Sequence, residues 1–208
     1  MSIAKDRHSR RRLATRQRIS NIATALFAEH GFDRVTIDAI AEAADVGRMT
    51  VFNHFARKED LFFDREPAIR AMLRETLAQS APDHPFEALR KRAHCLVAEN
   101  APFLHFAPQS QSFIATLSES ETLRARARAL RDEISEDVAQ GTASALGLDR
   151  VEPRLHLAAT LLVAGWGRAY IEAQNCFVTR SASSKAQCLF LDLIDLATKA
   201  ALLVLKTA

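Results

Sequence analysis

Residues that break helices are rare in this chain of 208 residues. It contains six glycines and six prolines, and every proline lies beyond residue 66. Apolar residues recur at helical spacing, and no segment shows the alternation that is typical of strands. The chain is therefore predicted to be all-α, with three short helices followed by about six longer ones. The expected breaks lie near Pro82 and Pro85, near Pro102, and at residues 118–120, 147–153 and 181–184.

Positive charge is concentrated in the first third of the chain. Residues 1–65 hold 12 Lys or Arg against 9 Asp or Glu, whereas the remaining residues hold 16 of each. We expect residues 1–14 to form a basic, flexible arm. No apolar run approaches the roughly 18 residues that a membrane-spanning helix needs, and the charged N-terminus does not resemble a secretory signal. A cytoplasmic location is therefore expected.

The apolar pattern in this first third predicts short helices joined by tight turns. Ile19, Ile22, Ala23 and Leu26 mark one face of a first helix, and Gly31 is placed to end it. Thr36 is suited to cap a second helix, and residues 48–55 form a third. Residues 58–60 open a fourth helix, which is expected to continue past Pro67 with a bend.

The third helix has two distinct faces. Val51 and Phe55 lie one turn apart and are predicted to face the core, whereas Met49 and Asn53 point away from it. Two short helices joined by a tight turn, the second with polar groups outward, form the arrangement that places a helix in the major groove of DNA.

The same segment resembles a known signature. Residues 36–55 read TIDAIAEAADVGRMTVFNHF and are followed by RKEDL at 57–61. This pattern, together with ALF at 25–27 and GF at 31–32, resembles the DNA-binding domain of the TetR family of transcriptional regulators. The resemblance covers roughly the first third of the chain. It implies a three-helix DNA-binding domain, residues 1–62, and a larger helical ligand-sensing and dimerisation domain, residues 63–208.

The resemblance also implies roles for individual residues. The positions that contact phosphates in the family are occupied by Thr36, Phe52, His54 and Lys58. The positions that face the groove are occupied by Arg48, Met49, Thr50 and Asn53. Three residues depart from the usual pattern. Gly47 replaces a capping Ser or Thr, Met49 replaces a common Gly, and Phe52 replaces a Tyr, which affects the details of contact rather than the docking mode.

Beyond this domain the expectations rest on apolar patterning. Aromatic residues on several helices suggest an apolar pocket with a few polar groups, although such residues also pack as solid core. The candidate ligand-binding residues are His94, Phe103, Phe106, Gln109, Phe113, Trp166 and Tyr170, with His105 as a further polar group.

The last two helices are apolar on more than one side, which is typical of helices that pack on a partner as well as on their own domain. In the TetR family the corresponding helices form a four-helix dimer interface. The residues predicted to lie in a homodimer interface are Leu155, Ala159, Leu162, Leu189, Leu193, Ala197 and Ala201.

Together these patterns predict a repressor that binds a palindromic operator as a homodimer and is released by a small, largely apolar ligand. No cofactor, metal or catalytic residue is expected. His94, Cys95, His105 and His156 leave an enzyme or a metal sensor open, but their spacing matches no catalytic or metal-binding motif. A DNA-binding regulator controlled by a protein partner, or by its own level, is the main alternative.

Overall fold

The computed structural model describes residues 2–81, 85–104, 106–180 and 182–206. These ranges are helical almost throughout and contain no strand, which confirms the all-α fold class. A short 3-10 helix over Pro102–Leu104 precedes the seventh α-helix. The α-helices are α1 (Ser2–His30), α2 (Ile37–Ala43), α3 (Arg48–His54), α4 (Lys58–Phe62), α5 (Glu66–Ala78), α6 (Pro85–Ala98), α7 (Pro108–Glu119), α8 (Glu121–Ala145), α9 (Pro153–Arg180) and α10 (Ser183–Lys206).

Two helix boundaries differ from the sequence-based expectation. Helix α1 starts at Ser2, so the segment expected to be a flexible arm is helical in the structure. Residues 2–18 contain neither Gly nor Pro and include six Arg, a residue that favours helix. The expected fourth helix is divided into α4 and α5, and Pro67 lies in the first turn of α5, where its missing N–H does no harm.

The chain divides into two compact units. Unit 1 comprises Met1–Glu66 with Ala115–Arg126, and unit 2 comprises Pro67–Ile114 with Ala127–Ala208. The expected boundary after residue 62 falls near the end of the first segment of unit 1. Residues 115–126, which the sequence analysis assigned to the larger domain, belong to unit 1 in the structure.

The core of unit 1 is built around aromatic rings at the end of α1. The ring of Phe27 lies 5.0 Å from that of Phe32 and 6.3 Å from that of Phe62, measured between centroids. Gly31, with φ of +79°, lets the chain turn between the first two rings, and its N–H donates to the Phe27 carbonyl. Ile40, Val51 and other buried residues complete this core.

Unit 2 contains two apolar clusters, and α9 and α10 contribute to both of them. The two helices approach each other closely where Gly165 faces Ala197. A Cβ atom on Gly165 would lie 2.5 Å from the Cβ of Ala197, so this crossing leaves no room for a methyl group. Glycine is required here by close approach rather than by backbone conformation.

The predicted dimer residues are only partly available for a partner. Leu155, Ala159, Leu162 and Ala201 are buried within the protomer and present little surface to a partner. Leu189, Leu193 and Ala197 are half-buried. On helices that are apolar all round, the sequence pattern does not reveal which stripe packs on the protomer's own core. The exposed apolar side chains on these two helices are Leu157, Leu161, Val178, Leu196 and Leu203.

A charge network joins α5 to α8 in unit 2. The Arg70 guanidinium contacts Asp137 at 2.6 Å and Glu133 at 3.0 Å, and Arg74 contacts Asp137 at 2.9 Å. Burial alone would raise the pKa of the Asp137 carboxyl, but the hydrogen bond and charge of Arg70, joined by those of Arg74, hold that pKa below its ordinary value.

Replacing Asp137 with Asn tests this network through the pH dependence of stability. At neutral pH we expect Asp137→Asn to lower the free energy of unfolding by about 1 kcal/mol, because it removes one partner of two arginines. A carboxylate with a lowered pKa stabilises the fold above its unfolded pKa and loses that effect as the pH falls through its folded pKa. Urea titrations from pH 7 down to pH ~3 should therefore show the variant and the wild type converging below pH ~4.

Asp149→Asn, in an exposed loop, is the matched control and should leave the unfolding free energy nearly unchanged at every pH. A constant offset between wild type and Asp137→Asn across this pH range would contradict the role assigned to the carboxylate.

Candidate nucleic-acid interface and buried polar cluster

Helices α2 and α3 are joined by a turn whose backbone the sequence specifies closely. Thr36 caps α2, and its hydroxyl accepts the N–H of Ala39 at 3.1 Å. Asp45 adopts a positive φ of 49°, a conformation that Asp tolerates better than most residues. Gly47 then caps α3 without a side-chain hydrogen bond, in keeping with the missing Ser or Thr.

Helix α3 presents one face to the core and the other to solvent. Val51 and Phe55 are buried, whereas Met49 is 69% exposed and Asn53 is also exposed. Phe52 is 36% exposed, and Thr50 is half-buried. The outward side chains form a surface that offers hydroxyl, amide and guanidinium groups beside apolar ones. We call it the α3 face, and it consists of Thr36, Arg48, Met49, Thr50, Phe52 and Asn53.

Arg48 is tied to the preceding helix. Its Nη1 donates to both carboxylate oxygens of Asp38, at 3.1 and 2.9 Å, and its guanidinium carbon lies 5.6 Å from the centre of the Phe52 ring. The sequence analysis placed Arg48 on the groove-facing side but did not identify Asp38 as its partner. The only sequence signal for this pair was the acidic residue in the first turn of α2.

Lys58 turns toward the interior of unit 1 rather than outward. Its ammonium donates to the Phe32 carbonyl at 2.6 Å and lies 4.3 Å from the centre of the Phe32 ring. Burial lowers the pKa of the Lys58 ammonium, and the charges of Asp33 and Glu59 partly offset that shift. The Phe32 carbonyl takes one of the three N–H donors of the Lys58 ammonium, and a phosphate contact would use another.

The end of α3 is held by a basic side chain that the sequence analysis did not single out. The Arg16 guanidinium donates to the His54 carbonyl and lies 4.0 Å from the centre of the Phe55 ring. A cation at this position complements the negative end of the α3 dipole. Burial lowers the pKa of the His54 imidazole, and the nearby charges of Arg12 and Arg16 lower it further. All three effects favour the neutral form of the imidazole.

A second group of candidate residues meets inside unit 2. Phe103, Phe106, Trp166 and Tyr170 all belong to one apolar cluster, with the rings of Phe106 and Tyr170 5.8 Å apart. The amide Nε2 of the buried Gln174 donates to the Tyr170 hydroxyl at 3.2 Å. Within the residues that the structure describes, Trp166 Nε1 and Gln174 Oε1 are buried and have no hydrogen-bond partner.

The other candidate ligand residues have different surroundings. His94 Nε2 lies 2.8 Å from Asp195 Oδ1, in a network with Arg90 that links α6 to α10. Phe113 is half-buried. The side chain of Gln109, and all of His105, lie outside the described residues. Sequence analysis missed Gln174, whose signal was a polar side chain two turns beyond Trp166 on the same helix.

Among the residues that the structure describes, no three His, Cys, Asp or Glu side chains are grouped so that they could hold a metal ion. In the same ranges, none of the helices has the length and apolar character required to span a membrane.

Known proteins match this chain in the segment that contains the α3 face. A family profile described as bacterial regulatory proteins of the tetR family matches residues 19–64. The probable acrEF/envCD operon repressor of Escherichia coli (strain K12) is 36% identical over 83 residues, which is 38% of this chain and 38% of that protein. The match thus spans less than half of this relative's length.

Solved structures resemble the chain over a longer stretch. SmeT in complex with triclosan is 20% identical, with 90% of this chain and 91% of that chain covered and a TM-score of 0.55. SmeT is the repressor of the Stenotrophomonas maltophilia multidrug efflux pump SmeDEF. Thermus thermophilus FadR, a repressor solved with lauroyl-CoA, is 21% identical over 90% of this chain and 93% of that one, with a TM-score of 0.51. These structures share the fold.

The inward contact of Lys58 gives a prediction about stability. Replacing Lys58 with Met keeps an apolar stem but removes the ammonium that binds the Phe32 carbonyl and ring. We expect Lys58→Met to lower the free energy of unfolding by roughly 1 kcal/mol, as measured by urea denaturation. Lys58→Arg should retain most of the stability because it keeps a cationic donor.

Lys91→Met replaces an exposed lysine on α6 and serves as the control, with an expected change near zero. If Lys58→Met and Lys91→Met are equally stable, the contact between Lys58 and Phe32 does not contribute to the fold.

Proposed function

We propose that this chain is a cytoplasmic transcriptional repressor of the TetR family of bacterial regulatory proteins, since the family profile matches residues 19–64. It binds a palindromic operator as a homodimer and leaves the operator when a small, largely apolar molecule binds in unit 2. The family consists of regulators rather than enzymes, so no catalytic step is part of this proposal.

The observation that carries the proposal is the α3 face. A helix-turn-helix that exposes its second helix can insert that helix into the major groove, where side chains meet base edges. Arg48, Met49, Thr50 and Asn53 are our candidates for base contact. Thr36, Phe52 and His54 are the candidates for contact with phosphates, and the neutral imidazole of His54 retains one N–H that can donate to a phosphate oxygen. Lys58 binds the Phe32 carbonyl with one N–H and keeps two further donors for a phosphate.

The buried polar cluster supports a small-molecule effector. An unsatisfied buried donor or acceptor costs about 1–3 kcal/mol, so a ligand that pairs with Trp166 Nε1 or with Gln174 Oε1 gains free energy of that order. The surrounding rings of Phe106 and Tyr170 suit an apolar body. SmeT and FadR, which share this fold, were solved with triclosan, an apolar aromatic compound, and with lauroyl-CoA, whose acyl chain is apolar.

The exposed apolar side chains of α9 and α10 support a homodimer. Leu157 and Leu161 lie one turn apart on α9, with 51% and 41% of their surface exposed. Leu196 and Leu203 lie two turns apart on α10, with 63% and 62% exposed. Large exposed apolar side chains aligned in this way mark association surfaces. We refer to these four leucines as the α9–α10 face.

Binding of DNA and effector should be coupled. The effector is expected to favour an arrangement in which the α3 helices of the two protomers no longer match successive major grooves, and so to weaken operator binding. The operator must then weaken effector binding by the same factor. A regulator controlled by a protein partner or by its own level would show no such coupling to a small molecule.

The test begins with a randomised double-stranded library, from which the protein should enrich a near-palindrome with half-sites about one helical turn apart, or a multiple of it. Affinity for this duplex, measured by fluorescence anisotropy, should fall steeply with salt because bound phosphates release counterions. A thermal-shift screen of small apolar molecules should then identify a compound that raises the apparent stability.

That compound should weaken operator binding, and the operator should weaken compound binding equally, when both are measured by titration. Failure to enrich any duplex would refute the DNA-binding function. Enrichment without any coupled small molecule would favour the protein-partner alternative.

The dimer surface can be tested with charge substitutions on the α9–α10 face. Leu161→Glu and Leu196→Glu place a charge on a side chain that is exposed in the protomer, so the fold should persist. In the dimer that charge would be buried and unpaired, at a cost of several kcal/mol, so both variants should be monomeric by light scattering at micromolar concentration. Leu148→Glu, at an exposed leucine in the loop between α8 and α9, should leave the dimer intact. A monomeric wild type, or a dimeric Leu161→Glu, would show that this surface is not the interface.

A further inference from the structure

The ion pair between Arg48 and Asp38 joins the two helices of the helix-turn-helix at its exposed surface. The Arg48 side chain is 59% exposed and that of Asp38 is 66% exposed. Exposed ion pairs contribute little to stability, because water screens them and ordering two side chains costs entropy. Stability is therefore a weak reason for an arginine on the α3 face to be paired with a carboxylate.

A carboxylate at this location also opposes binding to DNA. Asp38 lies in the first turn of α2, beside the side chain that is our leading candidate for base contact. Negative charge next to the phosphate backbone weakens the electrostatic attraction on which sequence-independent affinity depends. A group that reduces general affinity at this place can still raise discrimination between sequences.

We infer that Asp38 is a positioning residue that fixes the Arg48 guanidinium for recognition of a guanine, and so sets sequence preference rather than affinity. The inference rests on the proposed DNA-binding function. Arginine recognises guanine through two parallel hydrogen bonds to O6 and N7, a geometry that requires the plane of the guanidinium to be set correctly.

The observed contacts supply this orientation. Both hydrogen bonds to Asp38 use Nη1, so this pair does not use the edge formed by Nε and Nη2, which can meet a second pair of acceptors. The Phe52 ring, 5.6 Å from the guanidinium carbon, restricts the side chain on another side. A side chain ordered before binding loses less entropy when it binds, and one held in a single plane fits fewer bases.

A simpler role for Asp38 has to be distinguished from this one. An acidic residue in the first turn of a helix stabilises the helix through its dipole. That role predicts a loss of stability on substitution without a change in base preference. The two roles therefore differ in what a binding measurement reports.

The experiment compares two duplexes, which are the sequence enriched from the randomised library and the same sequence with the guanine facing Arg48 replaced in each half-site. That guanine is identified as the position at which Arg48→Ala loses base preference. Anisotropy titrations yield the affinity for the enriched duplex divided by the affinity for the replaced duplex. We compare this ratio between wild type, Asp38→Asn, Arg48→Ala and the double variant. Glu42→Gln is the matched control, because it removes one negative charge from the same face of α2, one turn further along.

We expect Asp38→Asn to lower the ratio roughly tenfold, within the range that a bidentate arginine–guanine contact supplies. Its affinity for the replaced duplex should be equal to or higher than that of wild type, because a negative charge has been removed. Glu42→Gln should raise both affinities alike and leave the ratio unchanged. In the Arg48→Ala background, Asp38→Asn should not alter the ratio.

Several outcomes would overturn the inference. Equal ratios for Asp38→Asn and wild type would show that Asp38 does not orient Arg48, and so would an Asp38→Asn effect that persists without Arg48. If Arg48→Ala loses preference at no guanine, the assigned contact is wrong. These results differ from failure of the proposed function, in which no duplex is enriched in the first place.

Discussion

The burial of Val51 and Phe55 is the constraint on which the rest of unit 1 depends. Helix α3 has seven residues, too few to be stable by itself, since isolated helices shorter than about 12–15 residues are marginal in water. Its position is therefore set by two side chains inserted into a core that α1, α2 and α4 also form. Once these two point inward, helical geometry directs Met49, Phe52 and Asn53 outward. The packing of the core thus determines which side chains of α3 face outward.

The order and ends of the helices were largely predictable, because they depend on local chemistry. Pro85 and Pro153 begin helices where the sequence placed breaks, and Gly31 and Thr36 end and cap helices as expected. The start of α1 was not predicted, because a run of arginines suits a solvated arm and a helix equally well. The side of α9 that faces the protomer's own core was also beyond local patterning, which did not indicate that Leu155, Ala159 and Leu162 are buried within the protomer.

Sequence reasoning identified the α3 face but not the partners of its charged groups. Lys58 binds the Phe32 carbonyl, Arg16 binds the His54 carbonyl and Arg48 binds Asp38. Each partner lies at least ten residues away along the chain, so no spacing rule indicates it. As a consequence, the excess of basic residues in the first third overstates the positive charge directed outward. Inside unit 2, likewise, the aromatic residues were predictable, but the unsatisfied amide oxygen of Gln174 depends on tertiary packing.

The contact between Gly165 and Ala197 has a mechanical consequence for unit 2. Packed helices often adjust by sliding past one another in small steps, which requires side chains that can change rotamer at the crossing. Here one residue lacks a side chain and the other carries only a methyl group, so the crossing has no rotamers to exchange. Displacing α9 by one turn along its axis would bring Leu161 or Ala169, both larger than glycine, to this crossing. The crossing therefore resists sliding of α9 past α10, and a displacement of one helix is passed on to the other.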